Sequence, residues 1–150
     1  MNAAASPLLQ ISDLRVEFAT SAGVARVLDN VSLTLKDGET LGIVGESGCG
    51  KSMTGLAILR LVPSPPGKIV GGKVLLRGED LLAATEERIR DVRGNTISMI
   101  FQEPMTALNP VFTVGQQIVE TIRRHQDRTA AEARADALEL LRAVDIPEPR

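Results

Sequence analysis

The 150-residue chain contains no tryptophan and no tyrosine, and it has only one cysteine and one histidine. One cysteine excludes an internal disulfide, and one cysteine with one histidine cannot supply the ligands of a typical structural zinc site. No stretch approaches the roughly 18 uncharged apolar residues of a membrane-spanning helix. The start of the chain also lacks the basic and apolar regions of a secretory signal peptide.

The remaining composition is ordinary for a globular protein. Hydrophobic residues make up 43% and charged residues 24% of the chain, which argues against extensive disorder. The length corresponds to about one domain and is sufficient to bury a core. The net charge of −2 gives no reason to expect a nucleic-acid partner.

The first 40 residues predict an antiparallel β-meander. Apolar residues alternate over 9–18, with one slip, and again over 27–35, and Asp37-Gly38 is a strong turn signal. The next apolar stretch, Thr40 to Val44, is short and precedes a glycine-rich run, which favours a buried strand.

The middle of the chain alternates between helical and extended patterns. The predicted elements are a helix over 53–62 stopped by Pro63, a loop over 64–72, a strand over 73–77, a short helix over 86–92 and an apolar strand over 96–101. Two further helices are predicted from capping boxes at Thr113-x-x-Gln116 and Thr129-x-x-Glu132, and Pro147 ends the second. The predicted fold class is therefore α/β up to about Phe101, followed by an all-helical region.

A single motif carries most of the chemical information. Residues 45–52 match the pattern G-x-x-x-x-G-K-[ST] between a predicted strand and a predicted helix. In such a loop, glycines allow successive backbone N–H groups to converge on phosphate oxygens, and the following helix directs its positive end at the same anion. The candidate ligand-binding residues are Gly45, Glu46, Ser47, Gly48, Cys49, Gly50, Lys51 and Ser52.

These residue types predict a site for a nucleoside triphosphate with Mg²⁺. Lys51 is expected to reach the β- and γ-phosphates, and the Ser52 hydroxyl to contact the metal. Gln102 ends the strand on which a P-loop protein often carries an acidic Mg²⁺ ligand, and an amide is a weaker ligand. Glu103 as a catalytic base is a less favoured interpretation, and His125 is expected to be a solvated residue near the end of its helix.

The meander, the Gly45–Ser52 loop and the segment Met99 to Pro110 together resemble the ATP-binding subunits of ABC transporters. Within that family, the branch that imports peptides, nickel or glutathione is the most similar. The segment Val111 to Arg124, with Val144-Asp-Ile-Pro147, resembles the first ATP-binding half of glutathione importer ATPases. The resemblance implies an ABC-type P-loop NTPase with an N-terminal antiparallel β-subdomain and the start of a helical subdomain.

The resemblance also implies roles for individual residues. Phe18 matches the aromatic residue that stacks on adenine, although a strand residue packed in the core remains the alternative. Gln102 matches the glutamine of the Q-loop, which contacts Mg²⁺ or the attacking water. The region Glu103 to Pro110 matches the surface on which the family docks its membrane subunits. ATP and Mg²⁺ are the expected cofactors.

Two departures from the family pattern limit these expectations. Met53 stands where many members have a threonine that contacts the α-phosphate, although its backbone N–H can still donate. The signature loop, the Walker B strand, the D-loop and the switch histidine have no counterpart in residues 1–150. The catalytic glutamate and histidine of the family therefore cannot be assigned, the central sheet is expected to be incomplete, and appreciable ATP hydrolysis by the isolated chain is not expected.

The resemblance places residues 8–101 in the β-subdomain and Walker A core, and residues 102–150 in the Q-loop and helical subdomain. It implies permease subunits and a second ATP-binding domain as partners, a solute-binding protein as an indirect partner, and a peripheral location on the cytoplasmic face of the inner membrane. Two alternatives remain open: a stand-alone nucleotide-binding module without transport, and a small P-loop kinase. The kinase would need a cluster of basic residues, for which the chain offers only Arg88, Arg90 and Arg93 on a helix expected to be solvated.

Overall fold

A computed structural model describes residues 6–102 and 107–147. The chain forms two compact units, which divide between Arg93 and Gly94. Among the described residues, no helix is both long enough and apolar enough to cross a bilayer.

The first unit contains a four-stranded sheet in which every neighbouring pair is antiparallel. Its strands lie in the order β2-β1-β3-β4. They are β1 (Leu9–Thr20), β2 (Gly23–Leu35), β3 (Gly67–Leu76) and β4 (Glu79–Asp80). The predicted meander is thus confirmed, and β1 occupies the centre with β2 and β3 on its two sides.

The alternating apolar residues of β1 form the centre of the core. Ile11, Leu14 and Val16 are at most 1% exposed. Ile11 pairs with Leu33 of β2 and with Val74 of β3, so the register places apolar side chains together across three strands. The slip in the alternation after Ile11 coincides with shifts in the register of β1 with both neighbours.

Two short helices accompany this sheet, α1 (Lys51–Ile58) and α2 (Glu86–Val92). The second has the bounds predicted for it, and its N-cap Thr85 accepts a hydrogen bond from the backbone of Arg88. Its inward residues Ile89 and Val92 are fully buried. The cap and the two buried residues agree with the predicted helix.

The second unit contains α3 (Val114–His125) and α4 (Ala130–Ala143). Both predicted capping boxes are confirmed, because the Thr113 and Thr129 side chains each exchange hydrogen bonds with the third residue of their helix. The α3–α4 core is small. Its buried members are Ile122, Ala133 and Ala137, with Ile118 and Val119 packed against them.

Two segments predicted as strands, the buried 40–44 and the apolar 96–101, are not strands in the structure, and the second has only an isolated bridge at Ile97. Residues 40–44 and 98–101 have no regular secondary structure, and Val44 and Ile100 are 94% and 93% exposed. A strand requires a hydrogen-bonded neighbour, and neither segment has a strand partner within the described part of the chain. The apolar composition was correctly recognised, but the pairing could not be inferred from it.

Two element boundaries were also predicted wrongly. The predicted loop over 64–72 contains the first half of β3, which begins at Gly67 and pairs with Phe18 of β1. Helix α1 ends at Ile58 rather than reaching Pro63, because Arg60 already adopts a left-handed backbone conformation with φ of 53°. For β3, the pairing with β1 overrode the signal of nearby prolines and glycines.

Candidate phosphate-binding site

The loop over residues 45–50 leads directly into α1. Its last residue, Gly50, is the N-cap of the helix and has a left-handed backbone with φ of 97° and no side chain to cap the first turn. The first N–H groups of a helix have no partner within the helix, so an uncapped N-terminus is a suitable site for an anion. The loop residues before Gly50 are all exposed and accessible to a ligand.

The Lys51 side chain folds back over this loop. Its Nζ donates to the carbonyl oxygens of Gly45 and Glu46 at 2.8 and 2.6 Å, and it lies 3.5 Å from Cys49 Sγ. The ammonium group is thus held above the loop by backbone acceptors rather than by a carboxylate. A phosphate oxygen in the loop would find this positive charge within the same cluster of atoms.

The Cys49 side chain lies against the first glycine of the motif. A Cβ on Gly45 would lie 2.6 Å from Cys49 Sγ, which is closer than real carbon–sulfur contacts allow. Cys49 N–H donates to the Glu46 carbonyl at 3.3 Å, which closes a tight turn within the loop. Cys49 therefore has a packing role at a position where the motif permits any residue.

The last glycine of the motif is fixed by a contact with β2. A Cβ on Gly50 would lie 2.7 Å from Leu28 Cδ2 and 3.0 Å from the Val27 carbonyl oxygen. Leu28 is only 3% exposed, so it cannot move away without disturbing the core. The loop is thus supported by residues more than twenty positions earlier in the sequence, and no local signal predicts this support.

The start of α1 adds further order to the site. Thr54 is buried, and both its backbone N–H and its hydroxyl donate to the Gly50 carbonyl, at 2.9 and 3.1 Å. Ser52 is exposed at the open end of the helix, where its hydroxyl is available to a metal ion. Met53 is partly buried.

Phe18 lies near the end of β1 and is partly buried. Its ring packs on Gly67 of β3, where a Cβ would come within 2.7 Å of the ring atom Cζ and 2.8 Å of a Val62 methyl group. An aromatic ring that covers a cross-strand glycine has a structural role in the sheet. The adenine-stacking role of Phe18 stays a prediction beside this packing role.

Gln102 belongs to the second unit and is exposed. The first four residues of the predicted docking region, 103–106, lie outside the described residues, and so does the interpretation of Glu103 as a base. The remainder, 107–110, is described and exposed. The roles of Gln102 as a Q-loop residue and Mg²⁺ contact stay predictions.

Arg93 was expected to be solvated on a surface helix, and this expectation is wrong. Its guanidinium donates to the carbonyl oxygens of Leu59 and Arg60 at 2.9 and 3.1 Å and pairs with Glu86 at 3.1 Å. It therefore satisfies the free carbonyls at the C-terminal end of α1, the helix that begins in the phosphate loop. The sequence shows that Arg93 directly follows α2. It does not indicate that the Arg93 side chain contacts the end of α1.

Arg88 is paired rather than available to an acceptor substrate. It donates two hydrogen bonds to the Glu79 carboxylate, at 2.8 and 2.7 Å. These hydrogen bonds lower the pKa of Glu79 from its ordinary value. With Arg88 and Arg93 both engaged, the basic cluster required by the kinase alternative is not assembled.

Comparison with known proteins places this loop in a family context. Residues 28–149 match the family described as ABC transporter. A probable peptide ABC transporter ATP-binding protein of Sinorhizobium fredii is 51% identical over 148 residues, which cover 99% of this chain and 44% of that protein. The oligopeptide transport ATP-binding protein of Bacillus subtilis is 46% identical over 142 residues, which cover 95% of this chain and 40% of that protein.

A solved structure supports the fold assignment. It is described as a dimeric post-hydrolysis state of an ATP-binding cassette bound to ADP and Pi, and it matches 93% of this chain and 58% of that chain with a TM-score of 0.77 and 22% identity. This likeness confirms the predicted α/β fold of the ABC ATPase type. The chain spans less than half the length of the two curated relatives.

Proposed function

This chain belongs to the ABC transporter family, and we propose that it binds Mg-ATP as part of the ATP-binding component of a peptide importer. The observation that carries the proposal is the uncapped N-terminus of α1 with Lys51 Nζ held above it by loop carbonyls. The names of both relatives describe transport, one of peptides and one of oligopeptides. This favours an importer over the stand-alone nucleotide-binding module. Glutathione as the transported substrate stays a prediction.

The residues of the loop fit a triphosphate. Backbone N–H groups at Gly50 and in the first turn of α1 would hold phosphate oxygens, since no side chain caps that turn. Lys51 would exchange its carbonyl partners for the β- and γ-phosphates with little movement of its backbone. Both interactions are charge-assisted, which makes them stronger than neutral hydrogen bonds.

The donor set also fits Mg²⁺ bound mainly through the nucleotide. Among the described residues, no group of three or more histidine, cysteine or acidic side chains could hold a metal ion by itself. Mg²⁺ commonly takes one or two protein ligands and fills its other positions with phosphate oxygens and waters. Ser52 would supply its hydroxyl, and the metal would neutralise charge between the phosphates. The contact of Gln102 with Mg²⁺ stays a prediction.

The proposed partners are permease subunits, a second ATP-binding domain and, indirectly, a solute-binding protein. The docking surface is the region Glu103 to Pro110, and the chain would act from the cytoplasmic face of the inner membrane. Leu108, which is 41% exposed, is an apolar contact available within the described part of this region. Hydrolysis would depend on groups of the complete subunit that residues 1–150 do not contain.

The proposal is tested by equilibrium binding of a fluorescent ATP analogue to the purified chain in Mg²⁺. Replacing Lys51 by alanine removes the one cation of the loop, and we expect affinity to fall about tenfold to a hundredfold, the loss of one or two charge-assisted hydrogen bonds. Lys36→Ala is the matched control, because Lys36 is exposed in the same unit and lies outside the loop. Equal affinities of the Lys51→Ala and Lys36→Ala variants would contradict the proposal.

A further inference from the structure

Three exposed apolar side chains lie on a short segment that precedes α3. Leu108 is 41%, Val111 81% and Phe112 51% exposed. Side chains of this kind, close together in the sequence, are typical of a surface that another protein covers. Their value in binding depends on whether the segment is already ordered, because ordering a loop on association costs free energy.

One side chain of α3 holds this segment. Gln117 Oε1 accepts a hydrogen bond from the Asn109 N–H at 3.0 Å. Gln117 Nε2 donates to the carbonyl oxygens of Asn109 at 3.0 Å and of Phe112 at 3.1 Å. A single amide thus satisfies three backbone groups at the two ends of the segment.

The amide is itself held in place by the start of the helix. Gln117 is partly buried, and its backbone N–H donates to the Thr113 carbonyl at 3.2 Å. Thr113 is the residue whose capping box fixes the first turn of α3. Inside the segment, Asn109 Oδ1 accepts from the Val111 N–H at 3.0 Å, which adds a local turn. The helix, the cap and the segment therefore form one hydrogen-bonded network.

We infer that Gln117 is a positioning residue for partner binding, which orders residues 109–112 so that Val111 and Phe112 face the permease subunits. This inference rests on the proposed function, because the permease subunits are the partner assigned to the adjoining region 103–110. The inference extends the docking surface from region 103–110 to Val111 and Phe112. The Gln117 amide would fix the shape of this surface without contacting the partner.

The test compares two adjacent glutamines with different roles. Gln117→Met preserves length and helix propensity but removes all three contacts with the segment. Gln116→Met is the matched control, since Gln116 accepts from the Thr113 N–H in the capping box and has no contact with Asn109 or Phe112 among the hydrogen bonds described here. Both variants are made in the ATP-binding subunit that carries this chain.

Three quantities are measured for each variant. They are amide hydrogen exchange of residues 109–112, affinity for the purified permease subunits of the same transport system in detergent, and affinity for a fluorescent ATP analogue. In Gln117→Met we expect faster exchange in the segment and permease binding weakened about tenfold or more, because the loop must now be ordered on binding. ATP affinity should remain within about twofold of wild type, and Gln116→Met should change permease binding much less.

Each alternative result has a distinct meaning. Wild-type permease affinity in Gln117→Met, or unchanged exchange of residues 109–112, overturns the inference and leaves the proposed function intact. Equal losses of permease affinity in both variants also overturn the inference, because disruption of the first turn of α3 would then explain both losses. Absence of permease binding by the wild-type subunit, with ATP binding retained, contradicts the importer proposal and the inference with it.

Discussion

The two units of this chain are built on different kinds of interaction. The first unit has a sheet whose central strand β1 pairs with its hairpin neighbour β2 on one side and with the distant β3 on the other, and its core includes Ile11, Leu14 and Val16 with almost no exposure. In the α3–α4 pair, two helices with a cap at each N-terminus share a core of three buried residues, two of which are alanines. The first unit should therefore depend on its side-chain packing, and the α3–α4 pair on local helical contacts.

The contrast extends to the grooves on the surface of each unit. A groove of about 800 Å³ opens beside the helices of the second unit, lined by residues such as Val119, Leu138 and Leu141. The first unit also has grooves, both beside Arg60, and these are smaller, at about 350 and 200 Å³. A small shared core beside a wide groove agrees with an α3–α4 pair that depends on its local helical contacts.

The sharpest test of the contrast is a cavity in the sheet. Leu14 is fully buried and pairs with Val31 of β2, so Leu14→Ala should lower the free energy of unfolding by about 3 kcal/mol. Urea unfolding followed by circular dichroism measures the loss, and amide exchange locates it. Val24→Ala is the control, since Val24 is 67% exposed in β2, and it should change stability by less than about 0.5 kcal/mol.

The location of the change decides whether the units are independent. If the contrast is correct, Leu14→Ala accelerates exchange in β1, β2 and β3 while the amides of α3 and α4 keep their rates. Equal acceleration of exchange in both units would show that they unfold together. The two units would then have no separate stabilities to compare.

Sequence alone could predict most of what is local in this molecule. Helix α2 and the caps at Thr113 and Thr129 depend on residues at most four positions apart, and all were predicted. The loop before α1 was recognised for the same reason, because its eight motif residues are contiguous, and its binding of phosphate stays a prediction. Leu28 beneath Gly50 could not be predicted, because the contact joins β2 to the loop through the fold.

The failures have the same origin. Residues 40–44 and 96–101 are apolar enough for buried strands, but burial and pairing are properties of neighbours that a short stretch does not specify. Val44 and Ile100 are consequently almost fully exposed. Arg93 was misjudged because its partners, the Leu59 and Arg60 carbonyls, lie more than thirty residues away.

A smaller effect is expected from the same kind of change in the second unit. Ile122 is the largest member of its buried cluster and is 7% exposed, so Ile122→Ala should cost about 2 kcal/mol, at the low end for such truncations. Leu140→Ala on α4 is the control, because Leu140 is 55% exposed. Exchange of the amides in α3 and α4 measures the effect. If Ile122→Ala lowers the free energy of unfolding more than Leu14→Ala does, the core of the α3–α4 pair contributes more to stability than the sheet core, contrary to the contrast.

N-terminal capping should contribute a larger share of the free energy of unfolding in the α3–α4 pair than in the first unit. The Thr129 hydroxyl accepts from the Glu132 N–H at 3.3 Å at the start of α4, so Thr129→Ala should cost about 1 kcal/mol. Thr129→Ser keeps the hydroxyl and should restore most of this stability. The measurement is the helical content of α4 from backbone chemical shifts, together with urea unfolding. An unchanged α4 in Thr129→Ala would show that packing, not capping, holds the second unit.

The smallest expected effect is a difference in pH dependence between the capping boxes of α3 and α4. In α4 the Glu132 carboxylate accepts from the Thr129 hydroxyl and backbone N–H, and these hydrogen bonds lower the pKa of Glu132 from its ordinary value. Because the pKa is lower in the folded state, the stabilisation is complete above the unfolded value of about 4.3 and is lost as the pH falls through the folded pKa. The corresponding residue of α3 is Gln116, which does not titrate.

Backbone chemical shifts recorded from pH 6 to pH 3 should therefore show the first turn of α4 losing helical character at the acid end while the first turn of α3 changes less. Glu132→Gln gives α4 the same type of box as α3, in which the amide oxygen replaces the carboxylate as acceptor, and it should flatten the pH dependence of α4. If Glu132→Gln leaves the acid transition of α4 unchanged, other carboxylates cause it. The stability of the second unit would then be less local than its two capping boxes indicate.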